Sequence, residues 1–344
     1  METFLGFDYP TWWFLVTGGL FSGYAVLDGF DFGAGAWHLF LKKENSRRIA
    51  LNAVGPVWDG NEVWLVIGGG ALFAGFPLVY GTMFSGLYIP FMLFLTFIIL
   101  RATSIEFRSK ESMKWWRKSW DITYSVSSIM LAVLLGVVLG NVLQGFPLDA
   151  ERQLNVNLLD VLNPFAMLVG LTTLALFMMH GGIYLLLKTE GKLFDKVRRL
   201  LRFAMIGFIL LFITATVYAL VYIPHLSDDF QQRPFLALVP ILAFLAIANI
   251  PRLISKNRFR IAFLFSALSI CLMLMVVAIE LYPTILISTI DPGFDIDIYA
   301  AAASDKSLGI MLTMAAIGFP LVAAYTFFVY KVFWGKVKLD EMSY

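Results

Sequence analysis

The chain has 344 residues, 59% of them hydrophobic and 15% charged, with a mean hydropathy of +0.79. A soluble domain needs far more polar surface, so the composition excludes one and indicates an integral membrane protein. The net charge of +2 gives no sign of a nucleic-acid partner, and the lone cysteine, Cys271, can form neither an internal disulfide nor a thiolate metal site by itself.

Nine segments have the roughly 17–25 mostly apolar residues that a bilayer crossing requires. They lie near 11–40, 58–76, 79–101, 121–144, 163–187, 200–224, 234–250, 260–287 and 308–334. None alternates with period two, which argues against a β-barrel. The expected fold is an all-α integral membrane protein of nine transmembrane helices, forming a single polytopic membrane domain over 1–344.

The first span contains "GGLFSGYAVLDGFDFGAGAW" (18–37). Gly19 and Gly23, then Gly29 and Gly33, are four apart, the small-residue spacing that lets helices approach closely. Asp28 and Asp31 are three apart and share a face of this helix. The second span opens with "GPVWDGNEVWLV" (55–66), where Asp59 and Glu62 repeat the spacing, and Gly68, Gly69 and Gly70 follow. An ionised carboxylate in hydrocarbon costs roughly 2.5–3.5 kcal/mol even on lenient insertion scales, so such groups pair, protonate or face water or a partner. Two readings stay open for the second pair. Asp59 caps the second helix and Glu62 favours its dipole, or the four acids form one proton-collecting cluster. Capping does not reach Asp28 and Asp31, which have no helix start beside them.

Further along, "EFRSKESMKWWRKSW" (106–120) mixes cations with Trp115, Trp116 and Trp120, the composition of a segment lying at the headgroup level. Glu280, near the outer end of the eighth span, reads as a snorkelling residue. Histidines number only three, His38, His180 and His225, with no ligand partner at metal-binding spacing. His180 reads as a hydrogen-bonded core residue. No Ser-His-Asp set or phosphate-binding glycine loop occurs, so no complete catalytic site and no cofactor or metal site is expected in this chain.

Charge orients the spans. Segments 42–48, 101–118, 188–202, 251–260 and the tail from Lys331 hold 23 of the 26 Lys and Arg. The opposite side holds only Arg152, Arg233 and Lys306, with eleven acidic residues, among them Asp291, Asp295 and Asp297. By the positive-inside rule the N-terminus is outside and the C-terminus cytoplasmic.

Five stretches, "LDGFDFGAG" (27–35), "GPVWDGNEVWL" (55–65), "FRSK" (107–110), "GNVLQGFP" (140–147) and "LNPFAMLVG" (162–170), resemble subunit II of the bacterial cytochrome bd quinol oxidases. The resemblance spans the chain, and its two acidic motifs are specific. It implies a multi-pass subunit of the bacterial cell membrane and of a respiratory terminal oxidase, partnered by a haem-bearing subunit I and sometimes by a small single-span subunit. The b- and d-type haems are then expected in subunit I, with quinol as the substrate of the complex and lipid as the surrounding partner. Subunit II is implied to stabilise subunit I and to carry protons from the cytoplasm towards the oxygen-reducing haem without pumping. By motif, Asp59 matches the residue proposed to start that route, Asp28 and Asp31 match the acidic first-helix motif, and Trp58 neighbours the route, a lipid or a quinone. Glu62 stands where relatives carry Gln. The alternatives are a purely structural scaffold and, ranked last, a proton-coupled secondary transporter. A transporter would show broken helices at matching positions of two halves, and Pro90, Pro240 and Pro320 form no such repeat.

Overall fold

The computed structural model describes residues 3–339. A short hairpin, β1 (Thr3–Phe4) with β2 (Phe7–Asp8), leads into α1 (Tyr9–His38). There Asp8 accepts the Thr11 N–H at 2.8 Å, and Pro10 sits in the first turn, where its missing N–H costs nothing. The chain continues through α2 (Glu44–Val54), α3 (Trp58–Gly75), α4 (Pro77–Gly86), α5 (Tyr88–Phe107) and α6 (Lys114–Gln144). The four-residue α7 (Leu158–Val161) precedes α8 (Pro164–Lys188) and α9 (Gly191–Tyr222). Next come the short α10 (Asp228–Gln232), α11 (Leu238–Ser255), α12 (Phe259–Glu280), the four-residue α13 (Ile298–Ala301) and α14 (Asp305–Val332). Between α12 and α13, β3 (Thr284–Leu286) pairs antiparallel with β4 (Ile296–Asp297).

Among the described residues seven helices are long and apolar enough to cross a bilayer, or eight when the bent pair α3–α4 counts as one span. The chain is therefore a multi-pass membrane protein. The helix over the first expected span, α1, falls outside that set, because Gly, Trp, Tyr and two Asp dilute its apolar character.

Two expected spans and one expected loop differ from the helices found. Segment 79–101 is not one helix: α4 ends at Gly86 and α5 begins at Tyr88, while α3 and α4 meet at 117°. Pro77 explains the bend, since it lacks an N–H and its ring pushes Phe76 out of the helical region, to φ −130° and ψ 66°. Span 260–287 stops early, at Glu280, and Pro283 then leads the chain into β3. The segment after Lys43, expected as a loop, folds as α2. Its apolar side buries Ala50, Leu51, Ala53 and Val54, and its 11 residues are too short to cross.

The centre of the bundle is the second half of α1. Every residue from Asp28 to His38 is buried, as in a helix surrounded on all sides. Close approach to α8 makes this geometry work. A Cβ on Gly33 would lie 1.8 Å from the Phe177 carbonyl oxygen, and one on Gly181 would lie 2.5 Å from the Phe30 oxygen. The expected small-residue contact is therefore real at Gly33. At Gly19, Gly69 and Gly70 nothing among the described residues lies within 4 Å of an added Cβ.

Candidate functional site

Two of the four singled-out carboxylates meet deep in the bundle. Asp28 receives both arms of the Arg101 guanidinium from α5, Nη2 to Oδ1 at 2.5 Å and Nη1 to Oδ2 at 3.0 Å. Both side chains are fully buried, and the guanidinium also stacks 4.4 Å from the Phe32 ring centre. One turn on, Asp31 accepts the Asn61 amide at 2.8 Å. Asn61 also donates to the Leu27 carbonyl oxygen and accepts the Tyr330 hydroxyl at 2.9 Å, which draws α14 to the junction of α1 and α3. The second oxygen of Asp31, Oδ1, is buried and accepts nothing among the described residues.

The other two acids lie progressively closer to the surface. Glu62 is half-buried, within electrostatic range of Arg101, Asp28 and Asp59, and its Oε2 is buried without a hydrogen-bond donor. Asp59 is exposed. It does not cap α3: Val57 occupies the capping position, and no side-chain bond closes that end. Trp58 packs on Leu51, Ile105 and Tyr124, fixing the start of α3 against α2, α5 and α6. The four carboxylates thus descend from an exposed position to a sealed one.

A second charged cluster, not singled out from the sequence, lies two turns further along α1. Asp121 of α6 binds His38 Nε2, Arg47 Nη1 (2.8 Å) and Arg108 Nε (2.6 Å). Glu44 joins it through Arg108 at 3.0 Å and Arg117 at 3.4 Å. The tryptophan segment lies beside this cluster: Trp116 donates to the Phe107 carbonyl oxygen and packs edge-on against Trp115 and Trp120, as a headgroup-level anchor would.

The sequence reading singles out neither Arg101 nor Asp121. Arg101 is the last residue of an expected span and was counted as a loop cation, yet it is buried inside α5. A lone cation in the same bundle as a lone acid pair is the signal for such a match. Asp121 is likewise the first residue of its expected span. Asn61 and Tyr330 carried no signal, since only tertiary packing brings α14 to α3.

No histidine offers itself to a haem. His180 is buried with Nδ1 on the Ser266 hydroxyl (2.6 Å) and Nε2 on the Val26 carbonyl oxygen (3.0 Å), and its ring stacks on Phe263. His38 Nε2 is held by Asp121, and His225 Nε2 by the Leu143 carbonyl oxygen at 2.9 Å. Among the described residues no three His, Cys, Asp or Glu side chains gather to hold a metal ion.

Fold and site together define a polytopic helical membrane protein with a buried carboxylate–arginine centre. The family model for cytochrome bd terminal oxidase subunit II matches residues 9–333. Cytochrome bd ubiquinol oxidase subunit 2 of Bacillus subtilis is 32% identical over 340 residues, covering 96% of this chain and 98% of that protein. Cytochrome bd-I ubiquinol oxidase subunit 2 of Escherichia coli K12 is 29% identical over 363 residues, 96% of each. The bd oxidase of Geobacillus thermodenitrificans shares the fold, with a TM-score of 0.78 at 18% identity over 94% of this chain and 98% of that one. The chain belongs to the cytochrome bd terminal oxidase subunit II family, and it is one subunit of a terminal oxidase complex.

Proposed function

We propose that this subunit works beside a haem-bearing subunit I in a quinol:oxygen oxidoreductase of the bacterial cytoplasmic membrane, stabilising that partner and bringing protons from the cytoplasm towards its oxygen-reducing haem. The relatives' names carry ubiquinol, and whether this complex takes ubiquinol or another quinol is set by the partner. Nine crossings with the N-terminus outside and the C-terminus cytoplasmic fit the basic segments, with α1 as one crossing and α3–α4 as another. A small single-span subunit would complete the assembly.

One observation carries the proton reading: the graded burial of Asp59, Glu62, Asp31 and Asp28. A proton entering at exposed Asp59 meets Glu62 next, and Glu62 faces the Asp28–Arg101 pair. Arg101 neutralises one carboxylate only. The remaining negative charge must be met by protons or by groups of the partner, because an unpaired buried carboxylate is too costly. The oxygens Glu62 Oε2 and Asp31 Oδ1, which accept no bond among the described residues, are places where a proton can reside. Reducing oxygen to two waters consumes four protons, so such a store has a use. Trp58 holds the start of α3, and hence Asp59, in place.

Asp59→Asn should lower quinol oxidase turnover by about tenfold or more, since positioned proton transfer contributes at least that much. Haem absorbance per complex should stay unchanged. Turnover per haem equal to the parent in Asp59→Asn rejects the proton route. A fall in yield with normal turnover favours the scaffold reading instead. Asp28 already supports part of that reading, because it is paired within its own chain. The transporter reading gains nothing: the described residues contain one bent helix pair and no counterpart in the other half.

A further inference from the structure

The outward face between α11 and α12 carries a groove of about 540 Å³. Its floor and walls come from one stripe of each helix: Leu242, Leu245, Asn249 and Arg252 recur every three or four residues on α11, and Leu268 and Leu272 face them from α12. Leu242, Leu245 and Leu268 are each more than 40% exposed, so the groove opens to lipid rather than into the bundle.

Polarity is confined to one end. Arg252 is exposed and has no carboxylate partner among the described residues, and the Asn249 side chain makes no hydrogen bond there. The turn that follows, 251–260, adds Lys256, Arg258 and Arg260 and contains no acidic residue. Arg260 lies 5.1 Å from the ring of exposed Trp334, which marks this end as the headgroup level. From Leu242 to Arg252 the helix rises ten residues, about 15 Å at 1.5 Å each. That is half of a hydrocarbon core about 30 Å thick, or one leaflet.

We infer that this groove binds one anionic phospholipid of the leaflet that faces residues 251–260, with its phosphate on Arg252 and Asn249 and an acyl chain along Leu242, Leu245, Leu268 and Leu272. Charge selects the occupant. A guanidinium at headgroup depth binds phosphate with paired, charge-assisted bonds, and no carboxylate lines the groove to receive the ammonium of a zwitterionic lipid. The inference rests on membrane embedding alone and is independent of the proton route.

The test uses the purified, delipidated oxidase complex in dodecyl maltoside, titrated with phosphatidylglycerol or phosphatidylcholine while its melting temperature is followed. Phosphatidylglycerol should raise the melting temperature saturably, and phosphatidylcholine should not. Arg252→Gln should raise the half-saturating phosphatidylglycerol concentration roughly tenfold, the loss of one charge-assisted contact. Leu245→Trp, which fills the groove and leaves Arg252 in place, should abolish the saturable response. Haem absorbance shows that each variant is assembled. Equal responses to the two lipids, an unchanged half-saturation in Arg252→Gln, or stoichiometric quinone recovered from the parent and lost in Leu245→Trp would each overturn the inference.

Discussion

Two charged clusters sit on α1, two turns apart, and they are balanced in opposite ways. Around Asp28 three carboxylates, Asp28, Asp31 and Glu62, share one cation, Arg101. Around Asp121 the cations Arg47, Arg108 and Arg117, with His38, outnumber Asp121 and Glu44. The first is sealed, with Asp28 and Arg101 at 0% exposure; the second opens to solvent through Glu44 and Arg117, at 47% and 33%. Water can supply what the second cluster lacks. The first has no such recourse, so its excess negative charge has to be met by protons or by a neighbouring subunit. On the proposed reading, a buried cluster short of cations stores protons, while an open cluster rich in them fastens helix ends at the headgroup level.

The sharpest way to break this contrast is Arg101→Met. It leaves Asp28 buried without its partner, a loss of about 3–5 kcal/mol. The yield of haem-containing complex should fall more than tenfold. Asp28→Leu combined with Arg101→Met should restore assembly, because replacing a whole buried pair by apolar residues is often neutral. Continued failure of the double variant would show that the pair does more than neutralise itself.

Next in size comes Asp121→Asn, which strips the charge that faces Arg108 and His38. Water reaches this end through Arg47 and Arg117, so the cost should be smaller, about 1–3 kcal/mol. It should appear as a lowered melting temperature of the complex with normal turnover per haem. A turnover defect as large as that of Asp59→Asn would extend the proton store to the second cluster and erase the distinction between them.

Legibility in the sequence follows the same division. Hydropathy found the long helices, because a crossing needs only length and apolarity, and the family motifs fell on the two sealed acids. It failed where a local rule overrode the average. Pro77 bends 58–86 inside an unbroken apolar run, and α2 packs one apolar side while it reads as a charged loop. The acids were visible by their type, but their partners were not. Arg101 was counted with the loops because a cation at a span's end looks interfacial until tertiary contacts place Asp28 opposite. The Asn61–Tyr330 bond joins residues 269 positions apart, and no spacing rule reaches that far.

A smaller effect is expected at His180. Replacing it with Phe keeps the ring stacked on Phe263 but removes the side-chain bonds to the Val26 carbonyl oxygen and the Ser266 hydroxyl, about 1–2 kcal/mol. The melting temperature should drop modestly while the haem absorbance per complex stays the same. A change in haem content would give this histidine a part in cofactor binding that its two hydrogen bonds argue against.

Arg117→Gln should have the least effect. The pair with Glu44 is long at 3.4 Å and both partners are partly exposed, so the Coulomb gain is offset by ordering two long side chains. The expected loss is about 0–1 kcal/mol at low salt, and it should vanish near 1 M salt, where screening reaches about 3 Å. The Asp28–Arg101 pair, sealed from ions, should show no such salt dependence in the double-variant comparison. If raising the salt weakens both pairs equally, then water and ions reach Arg101, and the sealed character assigned to the first cluster is wrong.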